Sequence, residues 1–150
     1  MKQYIIDGNN LIGKLPSLKM SKIKDKQGSR EKLAFMIDNY FSQRNAKVFL
    51  HFDGHPKEPI RINNAIIIYS ENLSADDKIK NKVGKSKNPR NIIVVTSDNN
   101  LTEYARVCSS TVIKCEEFAK DILHRKDGDE EKRRIEEMNN NEEFKKLFGI

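Results

Sequence analysis

Acidic residues stand directly after apolar runs at three separate places in the sequence. Asp7 follows YII, Asp53 follows VFLHF, and Asp98 follows IIVV with only a threonine and a serine between. Asp76 and Asp77 open a stretch with helical spacing. Carboxylates that meet in space repel each other unless a cation neutralises them, and all-oxygen ligand sets suit Mg²⁺ or Mn²⁺ rather than zinc. A metal held in this way can activate water for attack on a phosphodiester.

Turn formation is the simplest alternative explanation for each acid. Asp-Gly and Asp-Asn are common turn sequences, and aspartate is a common N-cap of helices. A single acid in such a place is more often structural. Three acids that each follow a β-branched or aromatic run indicate a shared location, because ligands of open parallel sheets bind beyond the carboxyl ends of the strands.

Short apolar runs alternate with helical patterns along most of the chain. Four runs predict buried strands and a fifth is weaker; they are Tyr4–Ile6, Val48–Phe52, Ala65–Tyr69, Ile92–Val95 and Thr111–Ile113. Apolar residues at positions 33, 36, 37, 40 and 41 share one helical face, and further helices are predicted near 75, 101 and 118. Strands that are almost continuously apolar favour a parallel sheet covered by helices on both faces.

Several classes of protein are excluded by composition and spacing. The 150 residues suffice for one hydrophobic core, and no run of about 18 apolar residues is present for a membrane span. The N-terminus does not resemble a secretory signal, and two cysteines cannot build a disulfide scaffold, so a cytoplasmic protein is expected. Ile79 stands where a phosphate-binding loop ending in Lys85-Ser86 would need glycine, and Asn9 stands where an Asp-x-Asp phosphatase would need its second acid.

Positive charge is concentrated in the first three-quarters of the chain. The whole sequence has 28 Lys+Arg and 22 Asp+Glu, a net charge of +6. Residues 1–115 hold 20 basic and 11 acidic residues, a balance of +9, whereas residues 116–150 hold 8 and 11, a balance of −3. The cations are densest in Lys14–Lys32 and Lys78–Arg90. A solvated lysine-rich surface explains these segments, and so does contact with nucleic acid phosphates.

Four motifs in this order resemble a known family. IIDGNNLIG, HFDG, SADDKI and VVTSDNN are similar to the YacP type of NYN domain, within the PIN-like nucleases. The resemblance covers Tyr4 to Gly149 and includes a tail, EEFKKLFG, that resembles the closing helix of the family. It implies a three-layer α/β/α fold with a central parallel sheet, a strand order near 3-2-1-4-5, and metal-dependent RNA cleavage.

The resemblance also implies roles for individual residues. Four acids would be catalytic: Asp7, Asp76, Asp77 and Asp98. Of these, Asp7, Asp77 and Asp98 would be the ligands of Mg²⁺ or Mn²⁺, while Asn10, Asp53 and Ser97 would support the pocket. The two cationic segments follow acid-bearing strand ends, so we expect their cations to bind RNA phosphates beside the metal. The expected RNA contacts are Lys14, Lys22, Lys24, Arg30, Lys78, Lys82, Lys85, Lys87 and Arg90.

The sequence therefore predicts a nuclease domain over residues 1–126, followed by a charged spacer and short helix over 127–150. The leading hypothesis is a metal-dependent endoribonuclease whose partner is RNA, which could be mRNA on the ribosome, with no membrane partner. A noncatalytic RNA- or ribosome-binding module with the same fold is the alternative. A DNA-cleaving 5′-nuclease is weaker, because the chain lacks room for the extra helical domain of such enzymes. The sequence leaves the oligomeric state open.

Overall fold

The computed structural model describes residues 1–124, apart from the side chains of residues 21–24. Residues Met1–Ala119 form one compact unit. Its strands are β1 (Lys2–Asp7), β2 (Ala46–Phe52), β3 (Ile66–Tyr69), β4 (Ile92–Val95) and β5 (Thr111–Ile113). Its helices are α1 (Gly8–Ile12), α2 (Pro16–Lys24), α3 (Lys26–Tyr40), α4 (Ala75–Lys85) and α5 (Asn99–Val107), with a 3₁₀ turn at Pro89–Asn91 and a last helix that begins at 115.

The second unit comprises Lys120–Ile150, of which residues 120–124 are described and helical. The predicted spacer and closing helix over 127–150 lie outside the described residues, and the predicted domain boundary after residue 126 lies there too. None of the helices in the described part of the chain is long and apolar enough to span a membrane.

The five strands form one parallel sheet in the order β3-β2-β1-β4-β5. This confirms the predicted sheet and the strand order 3-2-1-4-5. Because all strands run in the same direction, their carboxyl ends share one edge of the sheet. The register pairs Ile6 with both Leu50 and Val95, so the acids that follow these strands emerge at a similar level.

Alternate residues of the strands face two separate apolar layers. On one face Ile5 and Phe49 pack in a cluster with Ile79 of α4 and Leu101 of α5. On the other face the ring of Tyr4 meets Phe41, which follows α3, with ring centroids 4.9 Å apart. Helices on both sides explain why the strands are continuously apolar rather than alternating with polar residues.

Gly8 permits the close approach of α1 to β2. A Cβ atom at this position would lie 2.6 Å from the backbone oxygen of His51 and 2.8 Å from the Phe52 ring. Real Cβ contacts are longer than this, so only glycine fits between Asp7 and the helix that follows. The tight turn keeps Asp7 at the sheet edge, next to the amino end of α1.

Candidate active site at the carboxyl edge of the sheet

Five aspartates come from four segments that reach the same edge of the sheet. We name Asp7, Asp53, Asp76, Asp77 and Asp98 together the acidic edge. Asp7 ends β1, Asp53 follows β2, and Asp98 follows β4 as the N-cap of α5. Asp76 and Asp77 lie in the first turn of α4, where negative charge interacts favourably with the helix dipole.

Asp7 is the most buried member of the acidic edge, with 8% of its surface exposed. Its pKa is raised to about 6, mainly by burial and to a smaller extent by the nearby charges of Asp53 and Asp76. A hydrogen bond from the Thr96 hydroxyl to Oδ2 (3.1 Å) and the Asn10 amide oppose the shift. The charges of Asp53 and Asp76 therefore act on Asp7 at the carboxyl edge of the sheet.

Two consecutive asparagines connect α1 to the loops that carry other acids. The side-chain oxygen of Asn9 accepts a hydrogen bond from the backbone N–H of Asp53 (3.1 Å). The side-chain oxygen of Asn10 accepts one from the backbone N–H of Ser97 (3.2 Å). Asn10 and Ser97 are therefore bonded to each other, and their supporting roles stay a prediction. The contribution of Asn9 was not predicted.

Thr96 is a further residue that sequence reasoning missed. Its side chain is fully buried between β4 and Asp7. The hydroxyl donates to Asp7 and accepts a hydrogen bond from the backbone N–H of Asp98 (3.1 Å), so one oxygen orients two acids. The available signal was a hydroxyl residue directly between an apolar strand and an acid.

Asp53 and Asp98 each use a carboxylate oxygen to bind the start of a helix. Oδ1 of Asp53 accepts the backbone N–H of Ala75 (2.7 Å), which connects the loop after β2 to α4. Oδ1 of Asp98 accepts the backbone N–H of Leu101 (2.8 Å) and caps α5. The alternative explanation of these acids as caps is thus correct for Asp98, but a carboxylate has a second oxygen that capping does not use.

Asp76 and Asp77 differ in environment although they are adjacent. Oδ2 of Asp76 lies 3.1 Å from Nζ of Lys80, while its Oδ1 is buried and has no hydrogen-bond partner among the described residues. Asp77 is exposed, and its backbone N–H donates to the Ser74 hydroxyl that caps α4 (3.0 Å). Asp76 therefore faces the site, and Asp77 lies at its rim.

Ser97 also joins a small polar network that contains a sixth acid. Its hydroxyl donates to Oε2 of Glu116 (2.9 Å) and accepts the backbone N–H of Cys115 (3.0 Å). Oε1 of Glu116 lies 3.1 Å from Nζ of Lys14. Glu116 was not predicted, because it follows the weak fifth strand after two intervening residues. The network fixes Lys14 next to the acidic edge, and its contact with RNA stays a prediction.

Arg30 does not lie on the surface, which contradicts its predicted contact with RNA. Only 2% of the residue is exposed. Its guanidinium donates to the backbone oxygens of Asp53 and His55 and lies over the rings of Phe52 and Tyr69. A planar group with several donors suits this position, where it satisfies loop carbonyls. Arg30 therefore supports the loop that carries Asp53 instead of binding phosphate.

The lysines of α4 divide between two environments. Nζ of Lys82 lies 3.1 Å from the centre of the Phe49 ring, and burial lowers its pKa. The charges of Lys82 and Lys78 both act on His51 in β2. Lys80 alone among these three is paired with the acidic edge. The predicted RNA contacts Lys78 and Lys82 are thus directed towards the β2 side of the helix.

The end of the second cationic segment lies away from the acids. Lys85 ends α4, and Lys87 and Arg90 precede β4. Since α4 connects the carboxyl end of β3 to the amino end of β4, these three residues lie towards the opposite edge of the sheet. The prediction that they flank the acidic edge is therefore wrong. The side chains of Lys22 and Lys24 lie outside what the structure describes.

The donors of the acidic edge suit a hard cation. They are carboxylate oxygens, and Oδ1 of Asp76 is buried without a hydrogen-bond partner among the described residues. Burial disfavours the ionised form of Asp7, and a bound cation would remove this penalty. The chemistry of the donors therefore fits Mg²⁺ or Mn²⁺. Among the described residues, however, no three His, Cys, Asp or Glu side chains stand close enough to hold a metal ion as they are arranged.

His51 is expected to make the protein sensitive to acid. It is 2% exposed, neither ring nitrogen has a hydrogen-bond partner among the described residues, and burial together with Lys82 and Lys78 lowers its pKa to about 4. Unfolded histidine binds a proton near pH 6.5, so the unfolded state gains protons first, and the contribution of His51 to stability falls as the pH drops from about 6.5 to 4. His51→Leu should abolish this loss, which amounts to about 3 kcal/mol.

Urea unfolding at pH 7.0, 5.5 and 4.5 measures the effect. His124→Leu is the matched control, because His124 is exposed and should leave the wild-type pH dependence unchanged. Parallel pH dependences of wild type and His51→Leu would contradict the prediction.

Comparison with known proteins identifies the family of the chain and agrees with its fold. The sequence pattern of the YacP-like NYN domain matches residues 4–148. A crystal structure of a tryptophan-to-leucine mutant of Rae1 (YacP) from Bacillus subtilis is 23% identical, covers 92% of this chain and 83% of that chain, and has a TM-score of 0.75. A second Rae1 (YacP) structure is 21% identical, with coverage of 98% and 87% and a TM-score of 0.71. Comparison with curated proteins gave no match. The chain belongs to the YacP-like NYN domain family, a family of PIN-like nucleases.

Proposed function

We propose that this protein is a divalent-metal-dependent endoribonuclease whose site is the acidic edge. The observation that carries the proposal is the position of Asp7, Asp53 and Asp76 at one edge of the sheet, where the pKa of Asp7 is raised by burial and by the charges of the other two acids. Bringing buried carboxylates together destabilises a fold, and such arrangements are concentrated at functional sites. Membership of a family of nucleases supports the same conclusion.

The metal ligands in this proposal are Asp7, Asp77 and Asp98, and Asp76 is a fourth catalytic acid. A bound Mg²⁺ or Mn²⁺ would supply an activated water and neutralise charge on the phosphate. The chain itself positions these acids: Thr96 orients Asp7, and the α5 cap fixes Asp98. Asn10, Asp53 and Ser97 hold the surrounding loops.

RNA is the substrate in this proposal because membership of the YacP-like NYN family suggests RNA and because cations lie next to the acids. Aromatic side chains, which would stack on bases, are few. Lys14 is fixed at the edge of the site by Glu116. Lysine binds phosphate as a point charge and reads no base, so cleavage should show modest sequence preference. The substrate could include mRNA on the ribosome, which would place the activity in the cytoplasm.

A noncatalytic RNA-binding module is the second candidate, and one observation favours it. The described acids do not by themselves assemble three ligands around one point. Such a module would bind RNA through Lys14 and Lys78 in a salt-dependent manner and release no products at any metal concentration.

Cleavage of a labelled RNA by the purified protein separates the two candidates. We expect cleavage with Mn²⁺ and none with EDTA. Asp98→Asn should reduce the rate at least ~100-fold while leaving stability unchanged, because asparagine is an equally good N-cap for α5. Binding without products in wild type would favour the noncatalytic module. Full activity of Asp98→Asn would refute the site.

A further inference from the structure

We propose that Lys80 binds the RNA phosphate that enters the acidic edge, an inference that rests on the proposed nuclease function. Lys80 belongs to neither the predicted acids nor the predicted RNA contacts. It lies in the middle of α4, one turn after Asp76, and forms an ion pair with that residue. Among Lys78, Lys80 and Lys82, only Lys80 forms an ion pair with the acidic edge, where the substrate phosphate would bind.

The position of Lys80 follows from the geometry of α4. The face that contains Ala75, Ile79 and Val83 is buried against the sheet. Lys78 and Lys82 act on the β2 side, where Lys82 covers the Phe49 ring. The intervening Lys80 is directed to the opposite side of the helix. There its charge interacts with those of Asp76, Asp77 and Asp98.

The ion pair leaves most donors of Lys80 available for a second partner. Nζ lies 3.1 Å from Oδ2 of Asp76, and the Lys80 side chain is 28% exposed. An ammonium has three N–H donors, and this contact requires one. Asp76 therefore holds the ammonium at the mouth of the acidic edge, with donors that an incoming anion can reach.

A phosphodiester needs such a cation in order to approach five aspartates. The phosphate carries a negative charge, and the acidic edge repels it. A lysine that is already fixed beside these acids offsets the repulsion, and its side chain loses little further conformational entropy on binding. The same ammonium can stabilise the additional charge that develops on the phosphate oxygens during displacement.

The alternative is that the pair with Asp76 only supports the helix. Exposed pairs at i and i+4 contribute little to the stability of a helix. In that case removal of Lys80 would change stability slightly. RNA binding would then be affected no more than by removal of one positive charge elsewhere on the surface. The two roles therefore differ in a measurable quantity other than activity.

The experiment compares Lys80→Gln with Lys2→Gln, which removes the same charge from an exposed residue at the opposite edge of the sheet. RNA binding is measured by fluorescence anisotropy in EDTA over a range of salt concentrations, so that no cleavage occurs. We expect Lys80→Gln to weaken binding about 3- to 10-fold and to reduce the slope of log K against log salt by about 0.7, the value for one phosphate contact with a single strand. Lys2→Gln should keep the wild-type slope.

Cleavage with Mn²⁺ provides the second measurement. Lys80→Gln should lower the single-turnover rate at saturating RNA at least ~10-fold, and Lys80→Arg should restore a large part of it, since arginine keeps the charge and binds phosphate. If wild type cleaves RNA but Lys80→Gln matches Lys2→Gln in slope and rate, the role of Lys80 is refuted and the nuclease function stands. If wild type never cleaves but Lys80→Gln still loses one phosphate contact, the nuclease function fails and the Lys80 contact is retained.

Discussion

Asp7→Asn is expected to abolish RNA cleavage and, in the absence of metal, to stabilise the protein at neutral pH. The loss of activity, at least ~1000-fold, follows from removing a carboxylate ligand from the centre of the proposed site. The gain in stability follows from burial: Asp7 is 8% exposed, and its pKa is raised to about 6. Asparagine carries no charge and can keep the hydrogen bond from Thr96.

The sign of the pH effect is determined by whether Asp7 binds its proton more tightly in the folded or in the unfolded protein. An unfolded aspartate ionises above about pH 3.8, whereas folded Asp7 holds its proton to about pH 6. The folded state therefore binds more protons in this window, and stability falls as the pH rises through it, by ~3 kcal/mol in total. Asp7→Asn should lack this fall and exceed wild type in stability at pH 7 by a similar amount.

Urea unfolding in EDTA buffer at pH 4.5, 5.5 and 7.0 measures these free energies. Asp38→Asn is a suitable control, since Asp38 also accepts hydrogen bonds through its carboxylate (3.0 Å from Asn63 N) but lies in α3, outside the site. An Asp7→Asn variant that is less stable than wild type at pH 7 would contradict the buried-charge argument. One that still cleaves RNA at the wild-type rate would contradict the site.

Asp7 and His51 affect the pH dependence of wild type in opposite directions. Asp7 makes the protein more stable as the pH falls from 6 to 4, whereas His51 makes it less stable over much the same range. The two contributions offset each other in wild type, so its pH dependence should be shallow. Each single variant exposes the other contribution: Asp7→Asn should lose stability in acid, and His51→Leu should gain it.

Arg30→Met is expected to be the most destabilising single substitution that we consider, at about 3 kcal/mol. The guanidinium is buried, bonds the backbone oxygens of Asp53 and His55, and lies 5.3 Å from the centre of the Tyr69 ring. Methionine replaces the apolar contact but leaves two carbonyls without their donors, and buried unsatisfied groups cost about 1–3 kcal/mol each. Arg30→Lys should restore little, because an ammonium lacks the planar set of donors.

Arg44→Met is the matched control for Arg30. Arg44 also lies over an aromatic ring, 4.1 Å from the centre of Tyr40, but it is exposed and its guanidinium remains hydrated in the folded protein. Its replacement should cost no more than ~1 kcal/mol. The midpoint of urea unfolding measures both variants. Equal midpoints for Arg30→Met and Arg44→Met would contradict the structural role of Arg30. A normal RNA affinity in refolded Arg30→Met would agree with it.

The fold and the location of the acids could be predicted because both depend on patterns that are local in sequence. Continuous apolar runs separated by helical spacing indicate a parallel sheet, and parallel strands necessarily place their carboxyl ends together. Asp7, Asp53 and Asp98 were found in this way, and the family motifs supplied the strand order.

Contacts between distant side chains could not be predicted in the same way. The bond from Thr96 to Asp7 joins residues 89 positions apart, and that from Asn10 to Ser97 joins residues 87 apart. A run of cations does not show which of them is buried, as Arg30 is, or which lies beyond the far end of its helix, as Arg90 does. Similarly, Val107 fits an apolar helical face but is 84% exposed at the end of α5.

The distribution of the site along the chain has a consequence for protein synthesis. Asp7 is synthesised well before the groups that orient it and complete the polar network, which belong to positions 96–116. A ribosome therefore has to release nearly all of the described chain from its exit tunnel before these contacts can form. Until then the nascent protein carries its acids on loops that these hydrogen bonds do not yet connect, so the proposed site is incomplete during synthesis.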